Sequence, residues 1–176
     1  MEGYIAASIL APVPIIHLWF HGFLGLWRKR PILFYVWAFT VWVGSFFIFR
    51  YFDQTASYIL TTNSNILVYS GILFKLFGSL MIIGSLYTLG FKKFFLWAAL
   101  HPHSKQKSNV VERSHLFQYI PHPAYAGYLL FLIGNFIASG KLYILVVFVF
   151  LFLFIPIIAM LEEEELRSRA RLHGQL

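Results

Sequence analysis

Two short segments hold most of the residues able to do chemistry in this chain. The first is Tyr119-Ile120-Pro121-His122-Pro123-Ala124-Tyr125-Ala126-Gly127, an imidazole and two phenols set around a pair of prolines. The second is Glu162-Glu163-Glu164-Glu165, four carboxylates in a row. Pro123 suits the first turn of a helix, where its missing N–H removes no hydrogen bond. The free amides of that turn favour an anionic group such as a carboxylate or phosphate. Gly127, one turn further on, leaves room for close approach by a ligand or a neighbouring helix. The carboxylates end an apolar stretch, so a helix running into them meets them at its negative pole, opposed by the dipole and by one another. Something positive must offset them. Arg167 and Arg169 stand four residues beyond Glu163 and Glu165, the spacing of helical ion pairs, and a cationic ligand is the other possibility. Taken singly, Pro-His-Pro also reads as a kink where a helix enters a membrane, and the Glu run as a solvated, salt-bridged helix end.

The elements that must position these groups are transmembrane helices. Hydrophobic residues make up 59% of the 176 and charged residues 12%, against roughly 45–50% and 25% in soluble domains. With 20 Phe, 10 Tyr and 5 Trp, one small core cannot hide the apolar surface, and lipid must act as part of the solvent. A bilayer core of ~30 Å takes about 20 apolar residues as a helix. Stretches 4–27, 31–49, 66–90, 123–139 and 142–161 meet or approach that length. The expected fold is an all-α polytopic bundle of five spans in one domain, 1–176. Gly140-Lys141 makes a tight turn between the last two spans, which form a C-terminal helical hairpin. That hairpin brings His122 and the Glu run to the same membrane depth. Residues 91–100 are amphipathic and are expected at the interface. A polar loop, 101–122, and a charged tail, 162–176, complete the chain.

Charge sets the orientation. Arg28-Lys29-Arg30, Lys92-Lys93 and the Lys and Arg residues of 105–113 all follow odd-numbered spans, while 53–65 has no Lys or Arg. The positive-inside rule then puts the N-terminus outside and the basic loops, tail and both polar segments in the cytoplasm. The N-terminus lacks a basic region of the signal-peptide kind, so the first stretch reads as a retained span. The net charge of +7, lying beside apolar segments, suits anionic headgroups better than nucleic acid. There is no Cys, which excludes disulfides, thiol nucleophiles and thiolate metal sites. His17 and His21, one turn apart in the first span, are expected to bond neighbouring helices rather than a metal, since no third ligand is evident. Lys75, inside the third span, snorkels or pairs with a helix or a lipid anion. Gly71, Gly78 and Gly84, with Ser79 and Ser85, mark close helix packing. Arg50 and Asp53 read as headgroup anchors, and His101-Pro102-His103 as a loop bend.

The run 119–127 followed by Glu162-Glu163 resembles the Arg-His-Pro-x-Tyr-x-Gly…Glu-Glu signature of integral membrane methyltransferases, the isoprenylcysteine carboxyl methyltransferases and phospholipid N-methyltransferases among them. The likeness covers about 110–174 by motif and the whole chain by its five-span layout. It implies methyl transfer from S-adenosylmethionine to a lipid or lipidated acceptor, a phospholipid amine or a prenylcysteine carboxylate, with no metal. By matching positions, it implies that His122, Pro123, Tyr125 and Gly127 line the cofactor site. Phe117 and Tyr119 match its aromatic contacts, and Val110 and Val111 its backbone contacts. Glu162 or Glu163 matches the acidic contact, with Glu163 preferred; Glu163 and His122 are the expected catalytic pair. A sulfonium and an ammonium suit carboxylates and aromatic faces. The transfer needs the nucleophile held in line in a dry site; an amine acceptor would also need a base, which a carboxylate acceptor would not.

The chain departs from the signature in three places. Pro121 stands where the motif has Arg. Ala159-Met160-Leu161 stands where the isoprenylcysteine branch has an Arg that grips the substrate carboxylate. Leu166 fits the tail pattern, but its glycine comes late, as His173-Gly174, and the Tyr beyond it is missing. An NADPH-dependent membrane sterol or enone reductase, with a similar His-Pro-x-Tyr-x-Gly segment, and a non-catalytic scaffold of the same fold are the competing readings.

Overall fold

The computed structural model describes residues 2–55, 65–101 and 115–172. Among them the chain is all-α, in the order α1 (Glu2–Leu10), α2 (Pro12–Gly22), α3 (Leu24–Lys29), α4 (Pro31–Thr55), α5 (Asn65–Leu89), α6 (Phe91–Phe94), α7 (Trp97–Leu100), a 3₁₀ turn (His115–Gln118), α8 (Pro123–Ser139) and α9 (Leu142–Leu172). Four helical stretches are long and apolar enough to cross a membrane: Gly3–Gly22, Pro31–Thr55, Asn65–Leu89 and Leu142–Ser168. The 17 residues of α8 make a shorter fifth. The protein is a multi-pass membrane protein.

Proline and glycine explain most boundaries. Pro12 and Pro14 cannot donate to the carbonyls of Ser8 and Leu10, so the first span breaks at Ala11, and it breaks again at Phe23. The single helix expected over 4–27 is thus three pieces. Pro31 opens α4 as expected, but the helix runs past 49 to Thr55. Gly90 and Gly140 take left-handed backbone, φ 73° and 67°, and end α5 and α8. The Gly140 amide closes α8 by donating to Phe136 O at 2.7 Å. α9 continues through the Glu run to Leu172, so most of the expected tail is helix.

α8 is central, packed on α5, α9 and α1. Its contact with α5 is a seam of small residues at seven-residue spacing: Gly71, Gly78 and Ser85 on α5 are buried, as are Gly127 and Gly134 on α8. A Cβ on Gly78 would lie 2.6 Å from Phe131 N and 2.7 Å from Gly127 O. One on Gly134 would lie 2.7 Å from Gly71 O. The two backbones therefore touch directly, as small-residue interfaces in lipid allow. The opposite side of α5 exposes Leu73, Phe77 and Leu80, as a lipid-facing surface should.

Two apolar clusters stabilise the bundle. Ala6, Ala7, Leu10, Leu132, Ile144 and Leu151 join α1, α8 and α9. Ile16, Phe20, Trp27, Phe34, Ala38, Ala99 and Leu100 join α2, α3, α4 and α7. The second cluster adds detail to 91–100: the stretch is two short helices, α6 and α7, joined through Leu96 at φ 59°, with Ala99 and Leu100 buried. Left-handed backbone at a non-glycine residue is a strained arrangement. Asp53 also ties two elements together. Because α4 overruns, the Asp53 carboxylate accepts from Lys141 Nζ at 2.5 Å and Tyr143 Oη at 2.7 Å, fastening α4 to the α8–α9 turn.

Candidate functional site

The hairpin brings the two sequence motifs together. His122, extended at φ −129° and ψ 70°, caps α8 ahead of Pro123. Its ring stacks on Tyr125, centroids 5.5 Å apart and planes at 19°. Its Nδ1 lies 3.8 Å from Glu162 Oε2 and its Nε2 3.6 Å from Glu163 Oε1. Tyr125, only 7% exposed, donates its hydroxyl to Glu162 Oε1 at 2.5 Å. From α2, His17 Nε2 comes within 3.4 Å of the same Oε1. Its Nδ1 is 2.9 Å from Val13 O; a carbonyl only accepts, so the proton sits on Nδ1. The expectation that His17 pairs with a neighbouring helix is met. Among the described residues, no group of three His, Asp or Glu side chains is arranged to hold a metal.

The four carboxylates meet different surroundings because consecutive positions on a helix point about a hundred degrees apart. Glu162 faces the α2–α8 side and is 22% exposed; Glu163 is 49% exposed and also pairs with Arg167, Nη2 to Oε2 3.5 Å. Glu165 is buried at 8% and accepts from Arg28 Nη2 at 2.7 Å. Arg28 Nε in turn donates to Ala99 O at 3.0 Å, satisfying a carbonyl at the end of α7. The run is therefore offset by Arg28 and Arg167, with the two histidine rings set against Glu162 and Glu163. Arg167 is the helical partner expected for Glu163; the side chain of Arg169 lies outside the described residues. Arg28 was missed, its basic cluster having been read only as a topology signal. Four adjacent carboxylates need more cations than one helix face supplies, and that was the signal available for it.

The other expected site residues divide. Pro123 is buried in the first turn of α8. Tyr119 is 84% exposed and Phe117 partly exposed, so both aromatic rings are accessible. For Gly127, the neighbouring-helix reading is met: the space that its missing side chain leaves is filled by α5, with Gly78 O 2.8 Å and Ile82 Cγ1 2.9 Å from a Cβ placed there. Val110 and Val111 lie outside the described residues.

Beside the polar cluster runs an apolar cleft of about 80 Å³. Val13, Ile16 and His17 of α2, Phe34, Tyr35, Ala38 and Trp42 of α4, Phe94, Phe95 and Leu96 at the α6–α7 turn, and Tyr128 of α8 line it. Tyr35 Oη donates to Phe95 O at 3.4 Å, linking two of its walls. His17 belongs to both the cleft and the Glu162 cluster.

Chemically, the arrangement offers carboxylates and aromatic faces to a cation, with an apolar cleft alongside. The phospholipid methyltransferase family model matches residues 66–170, a stretch that includes α5, α8, the Glu run and the glycine seam. Neither a curated protein nor a solved structure matches the chain. A match over more than half of the residues, on an all-α membrane bundle, decides the matter of kinship: this chain belongs to the phospholipid methyltransferase family.

Proposed function

We propose that the protein is an S-adenosylmethionine-dependent methyltransferase acting on a lipid or lipidated acceptor, with residues 1–176 working as a single unit. The observation that carries this reading is the convergence of His122, Tyr125, Glu162 and Glu163 at the open end of the α8–α9 hairpin in a chain of this family. The donor set fits the cofactor. Glu163, half exposed, is the carboxylate free to meet an ammonium or sulfonium, and Tyr119 and Phe117 offer ring faces to it. Val110 and Val111 belong to the same proposed site. When bound, the cofactor supplies an electrophilic methyl group.

The chain's own residues do the rest. Glu162 is held by the Tyr125 hydroxyl, so its charge is fixed before any ligand arrives, and preorganised charge is worth more than charge that must reorient. His122 sits between Glu162 and Glu163 and spaces them. Burial of Pro123 and Tyr125 beneath the cluster excludes water from its floor. If the acceptor is an amine, the Glu162–His17 pair is the nearest base; Nδ1 is already committed to Val13 O, so a proton would enter at Nε2 or on the carboxylate. The positive-inside rule puts this end of the bundle in the cytoplasm, since Arg28 meets the Glu run there.

Calorimetric titration of the detergent-purified protein with S-adenosylmethionine and with NADPH tests the reading. Saturable S-adenosylmethionine binding is expected, weakened by about tenfold or more in Glu163→Gln, the size of effect that loss of one charge-assisted hydrogen bond gives. Binding of NADPH alone would point to a reductase, and binding of neither to a scaffold.

A further inference from the structure

His17 has an unusual set of neighbours for a histidine inside a membrane span. One ring nitrogen is committed to Val13 O, the other faces Glu162, and the ring edge lies on Tyr125, centroids 6.2 Å apart and planes at 82°. The same side chain lines the apolar cleft. Val13, Ile16, Ala38, Trp42 and Leu96 make walls with no charge, and Tyr128 joins His17 as a polar lining group from α8. A polar group in lipid-spanning helices is costly unless it has a use. Here it connects a space fit for hydrocarbon to a fixed carboxylate. Ligand sites are mostly apolar with a few placed polar groups, and the lining of this cleft has that make-up.

Resting on the methyltransferase reading, we infer that His17 is a positioning residue: it closes the polar end of the α2–α4 cleft and directs the head group of an acceptor, whose hydrocarbon chain lies in that cleft, toward Glu162. The occupant is one apolar chain, because apart from His17 and Tyr128 the walls are hydrocarbon or, at Tyr35 and Trp42, have their donors bonded to Phe95 O and Ile9 O. The backbone of α2 fixes the ring through Val13, so the direction of Nε2 is set by the helix rather than by the ligand. A head group entering at that end meets an imidazole and a carboxylate already in register.

The test uses the full-length protein in phosphatidylcholine vesicles and two photoreactive long-chain alkyl amines, one with its diazirine at the chain end and one beside the nitrogen. Peptide mapping should find the chain-end probe on cleft residues such as Val13, Ala38 or Leu96, and the nitrogen-side probe near Tyr128 and Glu162. In His17→Leu the chain-end label should persist while the nitrogen-side label falls about tenfold, the discrimination expected where a site loses a polar partner. His17→Gln, which keeps an acceptor, should recover most of it. Ala38→Phe should remove both labels by filling the cleft. S-adenosylmethionine affinity, read by calorimetry, should stay within about twofold throughout. The inference is overturned if the cleft is unlabelled in the wild type, if His17→Leu leaves the nitrogen-side label unchanged, or if cofactor affinity falls in step with labelling. A wild type that labels as expected but binds no S-adenosylmethionine would support the cleft and His17 assignment while ending the methyltransferase reading.

Discussion

The α5–α8 seam and the α2–α4 cleft are two helix interfaces in one small membrane protein, built on opposite plans. At the seam, glycines repeat every seventh residue and the backbones meet with no space for a methyl group. At the cleft, Phe34, Trp42, Phe94 and Phe95 hold the helices apart and leave a lined space. In water, burial of aromatic surface would drive the second interface closed; in lipid no such force exists between helices, and packing and polar contacts decide. The difference teaches a division of labour. The seam is a rigid back wall that fixes α8, and the cleft is the compliant side on which His17, Tyr128 and Glu162 meet.

The largest effect should come from spoiling the seam. Gly78→Val puts its Cβ into the backbone of Phe131 and Gly127, an overpacking that costs at least the usual ~1–3 kcal/mol. Thermal unfolding in detergent should show it, and a melting curve close to wild type would mean that the seam is not tight. On the cleft side, Arg28→Met removes the close partner of buried Glu165 and frees Ala99 O. A loss of about 1–3 kcal/mol is expected, partly restored in Arg28→Lys; an unchanged protein would make the pair ornamental. At the far end, Asp53→Asn weakens the tie to Lys141 and Tyr143. Its cost should be about 1 kcal/mol or less and should shrink in high salt. Smallest of all, Gly44→Ala adds a methyl where nothing lies within 4 Å and should stay within about 0.5 kcal/mol of wild type. If Gly44→Ala proved as damaging as Gly78→Val, glycine content rather than the seam would explain both.

How much of this was legible depended on what kind of force sets each feature. The bounds of α8 matched the expected 123–139 because Pro123 and Gly140 punctuate it locally. α5 fell one residue from expectation for the same reason, at Gly90. The break in the first span was written in Pro12 and Pro14, but its apolar content read as one run. The pairing of His122 with the Glu run followed from hairpin length alone. Which glutamate turns inward did not, because that depends on the rotation of α9 against α2 and α8. Glu162 took the buried position, and Glu163, preferred from the motif, stayed on the open side. Asp53 with Lys141 and Arg28 with Glu165 are partners far apart in the chain, and only tertiary packing brings such pairs together. Gly127 offered close approach to a ligand or to a helix, and only packing could show that α5 takes the space.

Ultraviolet cross-linking of methyl-labelled S-adenosylmethionine to the membrane-embedded protein, followed by peptide mapping, tests most directly whether the hairpin's open end holds the cofactor. Label confined to peptides spanning 117–128 and 162–167, and displaced by unlabelled cofactor but not by NADPH, is the predicted result. Label distributed over α4 and α5, or absent from both of those peptides, would contradict it.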